Sequence, residues 1–212
     1  MSLPLLLIFG SGGHAAVVAD AVIASGTMRI AGFVDHKTDR LGDEVLGFPV
    51  VGVPRDALNG KIKHDRFIVG IGDNEARARV FHEALMAGLR PASVVHPTAI
   101  VAASATVGDG TLVCAGSVVN VEARLAQNII VNTRASIDHH CLVGDHAHVA
   151  PGVTLGGTVE VAEGALVGIG AAVLPGKVIG RWSVVGAGAV VTNAVVDGMT
   201  VTGTPARPLT RG

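Results

Sequence analysis

The stretch IDHHCLVGDHAHVAPGVTLGGTVEVAEGALVGIGAAVLPGKVIG, residues 137–180, decides the fold. It places an aliphatic residue at every sixth position: Ile137, Val143, Val149, Leu155, Val161, Val167, Val173 and Ile179. The same step runs outward in both directions, upstream through Val131, Leu125, Val119, Val113 and Val107 to Val101, downstream through Val185 to Val191. A small residue usually stands two positions earlier, as at Ala135, Cys141, Ala147, Ala165 and Ser183, and glycine often follows, as at Gly144, Gly156 and Gly180. A helix repeats every 3.6 residues and a half-buried strand every two, so neither holds this step. A β-solenoid with three short faces and about eighteen residues per coil does hold it. The aliphatic residues then point inward and stack coil on coil, and the small residues let the chain turn its corners.

Upstream the grammar differs. PLLLIFG is a short apolar run ending in glycine, GHAAVVADAVIAS has helical spacing, and IAGFVD and DRFIVGIG read as further strands. NEARARVFHEALMAGL reads as a helix with Asn74 as its N-cap and Gly88 near its end. Alternating strands and helices predict a small parallel α/β domain over residues 1–94, and the solenoid is expected over 95–212.

Composition narrows the function. Hydrophobic residues make up 49% of the 212, aromatics only 3%, and the net charge is −1. A core of Val, Ile, Leu and Ala suits thin repeated layers, and the charge argues against general nucleic-acid or membrane-surface binding. Two cysteines, Cys114 and Cys141, exclude a disulfide framework and fit a reducing cytoplasm. The opening MSLPLLLIFGSGGH lacks the basic start of a secretion signal and reads as a buried first strand. No apolar run approaches the ~18 residues of a membrane span.

The period-six frame sorts the cluster SIDHHCLVGDHAHVAPG, residues 136–152. Cys141 occupies the small corner position, so its thiol is expected to face the prism and not a substrate. His139 lies two past the inward Ile137 and faces outward. One coil later stands Gly157, at about the inter-strand rise of ~4.8 Å. An imidazole beside a bare backbone N–H can take a proton from an amine while the amide holds an oxygen gaining charge. His146 and Asp145 read as solvated corner residues. A histidine cluster also raises zinc, as in the solenoid carbonic anhydrases, but those lack an α/β domain ahead of the coil.

In the amino-terminal part, GSGGHA gives Gly10, Gly12 and Ala15 a GxGxxA spacing between a strand and a helix, and Asp35 ends the second strand. Alone this reads as a dinucleotide fingerprint, which keeps an NAD-dependent oxidoreductase as the runner-up class. A tight strand–helix turn also requires glycines with no nucleotide involved. The absence of any Tyr removes Tyr–Lys chemistry.

Taken together, FGSGGHAAVVAD, VVHPTAIV, NTRASIDHHCLVGDHAHVAPG and a closing GTPAR resemble the NeuD-like sialic acid O-acetyltransferase family. Within it they resemble the bacterial N-acetyltransferases of nucleotide-linked 4-amino-4,6-dideoxy sugars. The resemblance covers nearly the whole chain. It implies a Rossmann-like domain followed by a left-handed parallel β-helix, and a cytoplasmic homotrimer with acetyl-CoA along the groove between coils. It also implies direct acetyl transfer to a sugar amine, with no metal. His139 would be the general base and Gly157 the oxyanion donor, with His148 near the acetyl group and Asn132 near the substrate. Gly168, Ile169 and Ala187 would wall the pantetheine arm, and Arg207 would lie near the CoA phosphates. Gly10, Gly12, Gly13, His14, Asp35, Gly72 and Asn74 would hold the nucleotide sugar. The chain departs from the family at His140, where relatives carry an acid that orients the base. Asp138, on the other side, is then the expected orienter, or His139 works without one. Acetylation of a sugar hydroxyl, or a non-catalytic sugar-nucleotide sensor, remain alternative readings of the same site.

Overall fold

The computed structural model describes residues 2–209, in two compact units, Met1–Pro97 and Thr98–Gly212. The first unit runs β1 (Leu5–Phe9), α1 (Gly13–Ser25), β2 (Arg29–Val34), β3 (Glu44–Val45), β4 (Phe48–Gly52), α2 (Pro54–Leu58), β5 (Arg66–Val69) and α3 (Asn74–Met86). Its sheet has the order β3-β4-β2-β1-β5, parallel throughout except for the β3–β4 hairpin. β1 therefore has β2 on one side and β5 on the other, and the chain reverses direction across the sheet there. In open α/β sheets the carboxyl ends of strands at such a point border a ligand crevice. Leu7, Phe9, Val34, Phe67, Val69, Val80 and Phe81 form the core beneath it, with the Phe9 and Phe67 rings edge to face at 5.7 Å.

Asp73, not Asn74, caps α3: its Oδ1 accepts the Ala76 amide at 2.8 Å. A carboxylate one residue earlier takes the capping role, and Asn74 becomes the first helical residue. Past the other end of α3, Gly88 takes a left-handed φ of +79°.

The second unit is the β-helix, left-handed and three-sided. Each coil contributes three strands, most of two residues, and strands pair in parallel with those eighteen residues on, as Val119 does with Ile137, until the last coil, where Val184 pairs with Thr200 sixteen on. The first face stacks Ile100–Val101, Val118–Val119, Ser136–Ile137, Thr154–Leu155, Ala172–Val173 and Val190–Val191. The second carries Thr106–Val107, Arg124–Leu125, Leu142–Val143, Glu160–Val161 and Val178–Ile179. The third carries Leu112–Val113, Ile130–Val131, His148–Val149, Leu166–Val167, Val184–Val185 and Thr200–Thr202, closed by the antiparallel Arg207–Pro208. From Val113 to Val191 the period-six aliphatics are buried in one continuous core, and Val101 and Val107 pack on its end.

The corners turn differently from expectation. The left-handed residue is the one before the small residue: Glu122, Asn128, Arg134, His140, His146, Thr158 and Trp182 have φ between 53° and 61°, and glycine fills corners such as 116, 152, 164, 170, 176 and 188. The small residue follows inside the bend, where Ala135, Cys141, Ala147 and Ala165 are fully buried. Smallness therefore answers the lack of room within the corner, while the reversal itself falls on the left-handed residue. Among the described residues no helix is long and apolar enough to cross a membrane.

Candidate functional site

Three edges separate the three faces of the coil. The first edge, between the first and second faces, carries Asn120, Asp138–His140 and Gly156–Thr158 in consecutive coils. His139 is exposed, and its ring lies against the Gly157 Cα: a Cβ placed there would sit 2.5 Å from His139 Nε2 and Cε1. Only glycine leaves the ring this place. The corner also frees the Gly157 amide. At neighbouring corners the equivalent N–H is taken by the preceding side chain: Asn120 Oδ1 holds Val121 at 2.8 Å, Asn132 Oδ1 holds Thr133 at 2.8 Å and Asp138 Oδ1 holds His139 at 2.7 Å. Gly156 has no side chain to offer. The fold thus presents an imidazole and an uncapped amide side by side.

Asp138 does not orient the ring as expected. Its Oδ1 accepts the His139 backbone N–H and the Asn120 Nδ2 at 3.0 Å, which fixes the corner backbone. His140 contacts the ring instead: His139 Nδ1 and His140 Nδ1 are 3.2 Å apart, the rings edge to face at 84°. One nitrogen donates and the other accepts. When His139 Nδ1–H donates, its Nε2 keeps a lone pair beside Gly157.

The third edge, between the third and first faces, holds Asn132. Its Oδ1 accepts the Thr133 amide, so its Nδ2 donates to His148 Nε2 at 3.1 Å. The peptide N–H is an unambiguous donor, and it fixes the whole relay: His148 accepts through Nε2 and carries its proton on Nδ1. Gly168, Ile169 and Ala187 follow on the same edge in later coils, Ile169 and Ala187 exposed and the Ile169 carbonyl accepting from Gly188 at 2.8 Å. Within one chain the first face lies between His139 and these residues, a width on the order of 15 Å. Arg207 stands exposed beyond the last coil, paired with Thr202, its Nη1 on the Ala206 carbonyl at 3.0 Å.

His146, expected in solvent, is 3% exposed on the second edge, where its Nδ1 bonds Asn128 Nδ2 at 2.8 Å. Both occupy left-handed corners one coil apart, which aligns the two side chains. Asp145 accepts the Gln127 amide at 2.8 Å. Among the described residues no three His, Cys, Asp or Glu side chains converge as metal ligands.

The first unit holds a cavity of about 350 Å³ at the carboxyl ends of β1, β2 and β5. Gly10, Gly12, Gly13, His14, Asp35 and Gly72 line it, together with Ser11, His36 and Ile71. Asn74, expected in its wall, lies instead within the first turn of α3. Each loop residue has a physical reason. Gly10 has a φ of +102°. At Gly70, a Cβ would meet the Ala15 Cα at 2.8 Å, so the helix packs tight on the strand. Gly12 and Gly13 have open space where a Cβ would be, so the N-terminus of α1 stays approachable.

Asp35 ties the loop down, with Oδ2 accepting Ser11 N at 2.9 Å and Ser11 Oγ at 2.6 Å, and Oδ1 accepting Lys37 N at 3.0 Å. Burial acts to raise its carboxyl, but these bonds and nearby Arg40 outweigh it and hold the group below the usual range. His14 is pushed down to about 4, by burial first and by the charge of Arg77 second, so its imidazole is neutral at pH 7.

Arg77 escaped the sequence reading. It is 1% exposed, and its Nη1 donates to the Ile71 and Gly72 carbonyls at 3.3 Å each, bracing the cavity wall. Its spacing from Phe81 and Ala84, at i+4 and i+7, was the available signal, since it puts Arg77 on the buried stripe of α3. Burial lowers its guanidinium to about 10, against the opposing charge of Asp73, and leaves it cationic at neutral pH.

Residues 5–84 match the PglD N-terminal domain family. Over nearly its full length the chain is similar to GDP-perosamine N-acetyltransferase from Caulobacter crescentus, solved with CoA and GDP-perosamine: 36% identity, 97% of each chain covered, TM-score 0.91. It is equally similar to the acetyltransferase domain of PglB from Neisseria gonorrhoeae, solved with acetyl coenzyme A: 36% identity, 98% and 100% covered, TM-score 0.91. Over 110 residues it is 36% identical to UDP-N-acetylbacillosamine N-acetyltransferase of Bacillus subtilis, a match spanning 51% of this chain and half the length of that curated relative.

Proposed function

The chain belongs to the PglD family of left-handed β-helix acetyltransferases, and on that premise we propose that it moves the acetyl group of acetyl-CoA to the 4-amino group of a nucleotide-linked amino-dideoxy sugar. The observation that carries this reading is the His139 ring lying against Gly157, whose amide the fold does not use.

The neutral sugar amine attacks the thioester carbonyl, and His139 Nε2 takes its proton as the C–N bond forms. The Gly157 N–H holds the oxygen as charge develops on it. Collapse expels CoA, and the proton passes from His139 to the sulfur, so the thiol leaves with no acetyl-enzyme. His140, accepting from His139 Nδ1–H, fixes the productive tautomer in place of a carboxylate. Nucleotide recognition falls to the first unit, where the open N-terminus of α1 and buried Arg77 favour a diphosphate. His14, Asp35 and Gly72 then contact the nucleotide sugar.

The assembly is a homotrimer. The support is that the first and third edges of one chain face different ways, so His139 meets the Asn132–His148 edge only across two copies. Acetyl-CoA lies in the groove they form, its arm along Gly168, Ile169 and Ala187 and its phosphates near Arg207. Two buried free thiols suit a cytoplasmic enzyme.

The test is a panel of nucleotide amino sugars, their hydroxyl counterparts and sialic acid with acetyl-CoA, following free thiol. Thiol release with an amino sugar alone is the expected result. Release only with hydroxyl acceptors would replace N- by O-acetylation, and none with any acceptor would end the enzyme reading.

A further inference from the structure

We infer that the buried thiol of Cys141 is a positioning residue: inserted into the corner turn at Gly156–Val159, it holds the peptide whose N–H is the Gly157 amide. This rests on the reading of that amide as the oxyanion donor.

The regular corner closes on itself. The N–H of the small residue bonds the carbonyl three residues back, as Ala123 to Asn120 at 3.2 Å, Ala135 to Asn132 at 3.0 Å and Ala147 to Gly144 at 3.3 Å. At Gly156–Val159 the thiol of the coil below stands in that gap. Cys141 Sγ–H donates to the Gly156 carbonyl at 3.2 Å. The arrangement has a precedent in the same coil. Thr111 Oγ1 donates to the Ala126 carbonyl at 3.3 Å and accepts the Ile129 N–H at 3.2 Å, at the same sequence offsets. Val153 shows the alternative: it stands above Ala135, which has nothing to insert, and its N–H closes on the Ala150 carbonyl at 3.3 Å.

A trans peptide sends its C=O and its N–H in opposite directions. With the Gly156 oxygen held inward on the thiol, the Gly157 N–H is held outward, beside His139. Burial raises the thiol above its ordinary range, so it remains a donor at working pH. Cys141 touches no reactant. It sets the angle of a group that does.

The experiment compares Cys141→Ala, Cys141→Thr, Cys114→Ala and His139→Ala for kcat, KM and Tm. Alanine should release the Gly156 carbonyl from the thiol and loosen the Gly156–Gly157 peptide, lowering kcat about tenfold with both KM values within about twofold. Threonine, which makes this insertion at position 111, should restore most of the rate. Cys114→Ala, removing the other buried thiol, should leave kcat alone. If Cys141→Ala does not fold, Cys141→Ser decides: Ser117 and Ser183, in the same corner slot, turn back to carbonyls of their own coil at 2.6 and 2.7 Å, so serine should lose rate as alanine would. Wild-type kcat in the alanine or serine variant, or no rescue by threonine, overturns the inference. An active His139→Ala would instead overturn the assigned chemistry itself.

Discussion

The first and third edges of the coil share one backbone and treat histidine in opposite ways. On the first edge His139 is held through Nδ1 by His140, and Nε2 faces Gly157 with a lone pair when Nδ1 carries the proton. On the third, His148 is held through Nε2 by Asn132 and keeps its proton on Nδ1. A repeat supplies identical geometry at every corner, so the difference lies in which ring nitrogen the neighbour occupies. One edge is prepared to accept a proton. The other has Nε2 already occupied and its proton on Nδ1.

The largest test of this contrast removes each histidine in turn. His139→Ala should lower kcat by ~10²–10⁴-fold, whereas His148→Ala should cost only about tenfold. Equal losses in steady-state turnover would erase the distinction between the edges. Gly157→Ala attacks the same corner by sterics: its Cβ needs the space of the His139 ring, and a displaced base should cost on the order of 10²-fold, with Tm nearly unchanged. Retained activity would mean that the contact has no part in chemistry.

Mixing asks whether the two edges meet across copies. His139→Ala and Asn132→Ala proteins, unfolded and refolded together, should regain about a quarter of wild-type activity, since a quarter of the interfaces receive two intact edges. If each chain worked alone, the mixture would stay at the average of its two parents. A smaller effect is expected at His140. His140→Phe keeps a ring but removes the acceptor, which should cost about tenfold, and His140→Asp should recover it. An unchanged rate in the Phe variant would leave His139 without need of an orienter.

The smallest effect lies in the first unit. His14 is held neutral when folded, with its pKa near 4 against an ordinary value of 6.5. The unfolded chain therefore binds more protons between those values, and stability falls as pH drops from about 6.5 toward 4. Thermal melts of the wild type should show that loss, and His14→Gln should flatten it. Parallel curves would place the titration elsewhere.

The coil was legible because its order is translational: one inward aliphatic per six residues identifies Ile137 or Val167 without knowledge of any neighbour. The same frame placed His139 outward with Gly157 one coil above it. What it could not supply was the side-chain pairing. Asp138 as orienter was a reasonable inference from adjacency, but its Oδ1 holds the His139 backbone N–H and the Asn120 side chain of the coil below, and the ring meets His140 instead. His146 looked solvated because corners are exposed on average, and Asn128 one coil below is what buries and pairs it. Asn74 gave way to Asp73 because two capping residues stood side by side. In the first unit the glycine loop was readable, whereas Arg77 was hidden by the habit of assigning charge to the surface.

The constant coil rise has a consequence for how such an enzyme changes over generations. Along any edge, separations come in steps of ~4.8 Å, each set by eighteen residues until the last coil. Inserting one residue within a face would rotate every later side chain off its face, so small adjustments of length fall at the ends of the coil, as where Val184 pairs with Thr200 sixteen residues on. Duplicating or deleting a whole coil leaves every inward contact equivalent. A longer acyl chain or a larger acceptor is thus met by whole increments of groove, or by exchanging side chains at fixed stations. The edge behaves as a ruler marked in coils, and specificity evolves by choosing which mark carries the chemistry.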